Sequence, residues 1–417
     1  MILGHVIALD PTPEQEGYFR RACGTARYAY NWGLEAWKRM YKAGQKPNAN
    51  KVKAAWNAHR AAELPWTYEV TKCASGEGIR NLGSAFANFF FDLKKPKKQR
   101  RFGYPQHKRK ALNEGFELWN DQFELHGRAI RIPLLGWVKM REALRFDGKV
   151  MGATVSCTAG RWFVSVQVDV ITTPPPAPAG TVCGIDLGVE TLATVSSERG
   201  AVIQKVQNPK ARKRMAKRKK RLQRRVNLQK NRAKKLGIKA SRRQRKRRVA
   251  LAKLQAREAR IRADAAHKFT TAIARQFETV VLEDLNVTGM CKNHALAGAV
   301  LDANPAEIRR QLEYKVAMRG GRIVYADRFF PSSKLCSKCH VVNHDLQFER
   351  DWTCQCGAHH DRDVNAAINL ERLGRAFTAE VTRGDMAAYT GPHKRAGKRR
   401  GGTANQGPGA HICARSD

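Results

Sequence analysis

The period at which hydrophobic residues recur changes several times along this chain, and the changes divide it into segments. Residues 2–10 (ILGHVIALD) form a short apolar run that stops at Pro11 and Pro13, as a strand does where the backbone loses its donors. From Pro13 to Met40, Tyr18, Cys23, Ala26, Tyr30 and Leu34 recur at the spacing of one helix face. Two further helices are expected over 51–63 and 75–93. The second carries Phe86, Phe89, Phe90 and Phe91, a stripe whose expected place is the core. Between 113 and 170 the period falls to two. From Trp162 to Val170 every second residue is apolar (Trp162, Val164, Val166, Val168 and Val170), which predicts a half-buried strand turned through Ala159–Gly160 onto Ala153–Cys157. The first 170 residues therefore read as a β-rich body with a helical insertion, closed by the proline-rich linker TTPPPAPAG at 172–180.

Beyond the linker, short buried strands alternate with long polar helices. Val182 to Ile185 is a buried-type strand ending on Asp186, with Gly184 and Gly188 permitting close backbone approach. Leu192 to Ser196 is its expected hairpin partner. Thr279 to Leu282 is a second β-branched run, delivering Glu283 and Asp284. Asn304 and Pro305 supply a cap and first turn for a helix over 305–319, and Arg322 to Ala326 is a third strand. Residues 376–417 lack periodicity and read as a flexible basic tail.

Charge narrows the choice of partner. Of 417 residues, 78 are Lys or Arg and 36 are Asp or Glu, a formal net charge of +42. A field of that sign attracts polyanions, nucleic acid first among them. The 42% hydrophobic content is that of a globular chain and excludes a wholly disordered one. Residues 210–248 hold 22 Lys or Arg and no acid. Their composition favours helix once a polyanion screens the repulsion, so a helical hairpin breaking near Gly237 is expected, with helix resuming through Arg260 towards Phe277. KKPKKQRRFGYPQHKRK at 94–110 interleaves cations with Phe102 and Tyr104, a pattern suited to phosphate and base contacts together. MILGHVIALDPTPEQ lacks the features of a signal peptide, and no apolar run approaches about 18 residues; a cytoplasmic, nucleoid-associated protein without membrane spans is expected.

Two constellations carry chemistry. Cys336 and Cys339 form a Cys-x-x-Cys pair, and Cys354 and Cys356 a shorter Cys-x-Cys pair. Paired thiolates at turn spacing suit one structural Zn²⁺, with His340, His359 and His360 as spare ligands. Cys336-Ser-Lys-Cys339-His340 also matches a haem-attachment pattern, against which the second cysteine pair and the lack of an export signal both argue. The other six cysteines are scattered, as incidental thiols are in a reducing compartment. The second constellation is acidic. Asp186 and Glu283 each end an apolar strand, and Asp363 begins a helix whose Ala367 and Leu370 share its face. In a ribonuclease H-like fold such positions converge and can hold two Mg²⁺ ions about 4 Å apart. By alternation Asp284 turns to the opposite face from Glu283, and Asp361 suits a helix cap.

The segments PTPEQ, CGTARYAYNWGL, FGYP, IRIPLLGWVK, GIDLGV, VVLEDLNV, RRQLEYKV, PSSKLCSKCH and HDRDVNAAINL make the chain resemble the TnpB family, transposon-encoded relatives of type V CRISPR effector nucleases. The resemblance covers nearly everything except the tail. It implies an α+β multidomain protein. A wedge β-barrel would occupy 1–175, with a helical recognition insertion at about 12–93. A split ribonuclease H-like (RuvC) domain would occupy 181–330 and 358–375, with a basic helical region at about 205–277. A zinc ribbon over 331–357 would interrupt it, ahead of the 376–417 tail. It further implies a monomer on a guide RNA from the transposon end, cutting double-stranded DNA beside a short target-adjacent motif. Asp186, Glu283 and Asp363 stand where the family has its Mg²⁺- or Mn²⁺-binding triad. CQCG departs from the Cys-x-x-Cys of many members. Competing expectations are a compact type V CRISPR effector, a guided DNA-binding repressor that does not cut, a recombinase and a zinc-ribbon RNA-binding protein.

Overall fold

Alternation and capping account for most elements of the first half. In chain order these are β1 (Ile2–Ala8), α1 (Pro13–Lys42), α2 (Ala49–Glu63), α3 (Lys72–Leu93), β2 (Glu114–Trp119), β3 (Glu124–His126), β4 (Ala129–Ile132), β5 (Gly136–Lys139), β6 (Gly148–Thr158) and β7 (Arg161–Val170). They come from a computed structural model that describes residues 1–111, 113–171, 174–347, 349–383 and 413–414. Thr12 opens α1 with a capping box, its hydroxyl accepting from the Gln15 N–H at 3.3 Å and its own N–H donating to the Gln15 side chain at 3.0 Å. Ala159 and Gly160, both at positive φ, make the tight turn between β6 and β7. Strands β1, β7, β6 and β2 lie side by side, all antiparallel, and β3, β4 and β5 form a second sheet. A Leu9–Met140 bridge links the two sheets.

Tyr18, Phe19 and Cys23 of α1 fill the core between the sheets with Phe116, Ile130, Val155, Trp162 and Val164. A second cluster binds α1, α2 and α3 through Leu34, Trp37, Trp56, Leu82 and Phe86. The phenylalanine stripe divides. Phe86 is buried and stacks on Trp37 at 4.0 Å, whereas Phe90 and Phe91 are exposed. Advancing about 100° per residue, one helix cannot turn residues 89, 90 and 91 inward together.

The chain divides after Thr172 into two compact units. The second contains β8 (Val182–Asp186), β9 (Thr191–Ser197), β10 (Val202–Gln207), α4 (Ala211–Lys235), α5 (Arg242–Gln276), β11 (Thr279–Glu283), α6 (Val287–Met290), α7 (His294–Ala303), α8 (Pro305–Ala317), β12 (Arg322–Ala326), β13 (Asp351–Thr353), β14 (His359–Asp361) and α9 (Arg362–Arg383). Its sheet runs β10-β9-β8-β11-β12, antiparallel from β10 to β8 and parallel from β8 to β12. That is the strand arrangement expected of a ribonuclease H-like fold. On one face Cys183, Ile185, Val280 and Leu282 pack against Phe269 and Ile273 of α5 and Ile308 and Leu312 of α8. On the other, Val182, Val281 and Val324 pack against Leu370 of α9.

α4 and α5 form the basic hairpin, broken at Gly237, which takes positive φ. Val226, Leu251 and Leu254 are buried in this region, and Lys219 pairs with Glu258 at 2.5 Å. The expected tail starts too early, because α9 continues through Arg383. Its Phe377 still packs on the sheet. Residues 384–412 and 415–417 of that tail, and Thr172 and Thr173 of the linker, lie outside the described residues. Among the described residues no helix is long and apolar enough to cross a membrane.

Candidate active site and metal centre

β8 and β11 are parallel with Leu282 opposite Ile185, so Asp186 and Glu283 end neighbouring strands one rung further on. Alternation decides their side. Both are in phase with Val182 and Val281, on the face that α9 covers. Two glycines let the helix come close. A Cβ at Gly184 would stand 2.2 Å from the Glu371 nitrogen and 2.3 Å from the Ala367 carbonyl oxygen. One at Gly374 would stand 2.4 Å from a Val281 methyl. This approach brings the first turn of α9, with Asp363, to the strand ends.

The charges of Glu283 and Asp363 are felt at Asp186. Burial pushes the Asp186 carboxyl well above the usual carboxylate range, and the negative charges of Glu283 and Asp363 push it further; Arg362 opposes them. Glu283 accepts a short hydrogen bond from the Ser332 hydroxyl. The two neighbouring acids are engaged elsewhere. Asp284 accepts from Arg309 at 2.9 Å and from Arg328 at 2.6 Å, and the Arg309 bond, with Arg328 adding to it, holds its carboxyl below its ordinary range against partial burial. Asp361 accepts the Val364 N–H at 3.0 Å as a helix cap and pairs with Lys205 at 2.6 Å.

Half-buried carboxylates that repel one another suit hard divalent cations, which take oxygen ligands and offset such repulsion. Among the described residues, the one group of three or more ligand atoms all within 4.8 Å of one another is the four cysteines.

The cysteine module is built from two turns and the β13–β14 hairpin. Cys336 lies 3.8 Å from Cys356, and Cys339 lies 3.5 Å from Cys354, sulfur to sulfur. Tetrahedral zinc–sulfur bonds of about 2.3 Å place sulfurs roughly 3.8 Å apart, so all four thiols fit one zinc ion, the shortened CQCG turn included. The Cys336 thiol is held down to about 5: burial opposes this, but N–H groups of Cys339 and Lys338 and the His360 ring donate to the sulfur. His360, one of the spare ligands, is buried 3.1 Å from Cys336 Sγ beneath Trp352 and serves as a sulfur neighbour. Cys23, Cys73, Cys157 and Cys183 are buried free thiols.

Sequence reading missed the residues that tie these parts together. Glu371 is fully buried on α9 and accepts from Ser196 Oγ and from the Arg199 and Gly200 N–H groups, fastening the end of β9. Asn365 and Asn369, one helical turn apart and both buried, donate to the loop that leads into Cys336. A polar residue inside an amphipathic pattern normally marks a solvated face, so only the i, i+4 pair NAAIN hinted at an inward polar stripe.

The chain resembles several known proteins. A family described as "Probable transposase" matches residues 163–294, one described as "Cas12f1-like, TNB domain" matches 306–370, and a "Helix-turn-helix domain" matches 1–46. A Streptomyces pristinaespiralis protein named "Putative RNA-guided DNA endonuclease" is 35% identical over 88% of this chain and 88% of its own length. The Escherichia coli (strain K12) protein named "Putative RNA-guided DNA endonuclease InsQ" is 29% identical over 89% of this chain and 92% of its own. Among solved structures, the Cas12f1–sgRNA–target DNA complex covers 86% of this chain and 83% of its own at 16% identity, with a TM-score of 0.48. The strand order of the second unit is that of the ribonuclease H-like class. The chain belongs to the TnpB family.

Proposed function

We propose that this protein is an RNA-guided DNA endonuclease that cuts double-stranded DNA beside a short target-adjacent motif. The observation that supports the reading is that Glu283 and Asp363, from remote segments, both press their charge on Asp186 at the end of β8. The names of the relatives support the substrate and the use of a guide. Asp186, Glu283 and Asp363 would hold Mg²⁺ or Mn²⁺, and Cys336, Cys339, Cys354 and Cys356 one structural Zn²⁺. Bound divalent ions would lower the pKa of the attacking water and neutralise charge on the leaving 3′ oxygen. Asp186 supplies the central anchor, Ser332 orients Glu283, and Arg362 tempers the repulsion. Four thiolates leave zinc no open position, so its role is scaffolding.

In this reading residues 1–175 are the wedge and recognition portion and 331–357 a zinc ribbon that contacts target nucleic acid. The α4–α5 hairpin and 94–110 grip a guide RNA, transcribed from the transposon end, and its heteroduplex by their backbones. One chain serves one RNA. Asp186→Ala should reduce cleavage by the RNA-loaded protein at least about a thousandfold, since metal stabilisation supplies several kcal/mol. RNA and target binding should stay intact. Full-rate cutting by that variant, assayed on a guide-matched duplex, would refute the site.

A further inference from the structure

Resting on that reading, we propose that the cysteine module is a positioning device for the acidic site, acting through Ser332 and the Asn365–Asn369 pair. The loop from Pro331 to Cys336 leaves β12 and enters the first cysteine turn, and its carbonyls face α9. Asn369 Nδ2 donates to the Ser332 carbonyl at 2.8 Å and to that of Leu335 at 2.6 Å. Asn365 Nδ2 donates to Leu335 at 2.7 Å, and its Oδ1 accepts the N–H of Ser337, inside the turn itself, at 2.9 Å. Ser332, Ser337, Asn365 and Asn369 are all buried. From that clamped loop the Ser332 hydroxyl donates to Glu283.

Two routes thus leave the cysteine turn and end on the acids. One runs through Leu335 and Ser332 to Glu283 on β11. The other runs through Ser337 and Asn365 to the first turn of α9, two residues from Asp363. Leu335 immediately precedes Cys336, so an ion that fixes the sulfurs also fixes the carbonyl both asparagines hold. Buried amides with several short bonds have no alternative partners in water, which makes the clamp stiff. A carboxylate whose orientation is set by an outer hydroxyl binds metal more tightly than a free one, typically by about tenfold or more. Ser332 is accordingly a positioning residue, and zinc and the divalent ions should favour each other's binding. Linkage makes that preference reciprocal.

The test uses the full-length, zinc-loaded protein and Mn²⁺ as probe, with Mn²⁺ affinity read by electron paramagnetic resonance and zinc loss read by a colorimetric chelator. Ser332→Ala should weaken Mn²⁺ binding about tenfold while zinc content and unfolding midpoint stay at wild-type values, and Ser332→Thr should restore it. In the wild type, saturating Mn²⁺ should slow zinc release several-fold; in Ser332→Ala that protection should vanish. Asn365→Ala, which severs the other route, should weaken Mn²⁺ binding and speed zinc release. Unchanged Mn²⁺ affinity in both Ser332→Ala and Asn365→Ala overturns the coupling and leaves the nuclease site standing. Wild-type Mn²⁺ binding that Asp186→Ala does not abolish overturns both.

Discussion

Gly184 decides how close the covering helix comes to the acids. Its missing Cβ leaves room for backbone atoms of Ala367 and Glu371, which cannot rotate aside as a side chain could. Gly184→Ala must therefore push α9 outward, carrying Asp363 from Asp186. Overpacking against flexible neighbours costs 1–3 kcal/mol, so against backbone the expected loss is at least about 3 kcal/mol. A chemical-denaturation midpoint unchanged by this substitution would show that α9 does not rest on the strand as described. The role of Gly184 was foreseeable, since a glycine in a buried strand marks close approach by another backbone. The strand-end places of Asp186 and Glu283 were foreseeable too, because acids that close apolar runs stand out against the pattern. Glu371, Asn365 and Asn369 were not. Their partners are backbone groups of segments distant in sequence, and nothing in local periodicity records a carbonyl awaiting a donor.

Whole elements follow the same division between local and distant causes. β7 was legible to within one residue because one face is buried, and α4–α5 because composition and Gly237 both spoke for a hairpin. β10 was not, since it is an edge strand whose sequence, VIQKVQ, buries nothing fully and pairs only with β9. α7 escaped for a different reason. Its Asp302 is buried and caps another helix, accepting the Arg212 and Lys213 N–H groups at 2.9 and 3.0 Å, a use of an acid that shows only in three dimensions. On α4, Arg218, Arg221 and Arg225 are exposed and share one face by their spacing. If that face tracks a phosphate backbone, replacing all three by alanine should make the dependence of RNA affinity on salt shallower by about 0.7–0.9 per residue in the log–log slope. Equal slopes for wild type and variant, from filter binding across a salt series, would assign the grip to another surface.

At the scale of the whole molecule, the proposed function asks one acidic site to answer for both strands of a duplex. The sequence carries a single set of strand-end acids, and Asp284 and Asp361, the nearest candidates for a second, are engaged by Arg309, Arg328, Lys205 and the first turn of α9. Each cut needs one attacking water aligned opposite one leaving oxygen, so a single site can hydrolyse only one strand at a time. The first strand must leave before the second enters. Guide-matched supercoiled plasmid should therefore pass through a nicked circle before appearing as linear DNA, and the nicked form should build up further when Mg²⁺ is scarce and each cut slows. Gel analysis over a time course separates the cases. Linear product that rises from the first time point with no nicked precursor, at any Mg²⁺ concentration, would require two acidic sites at work on one target, through pairing of two chains or through a second centre in this one.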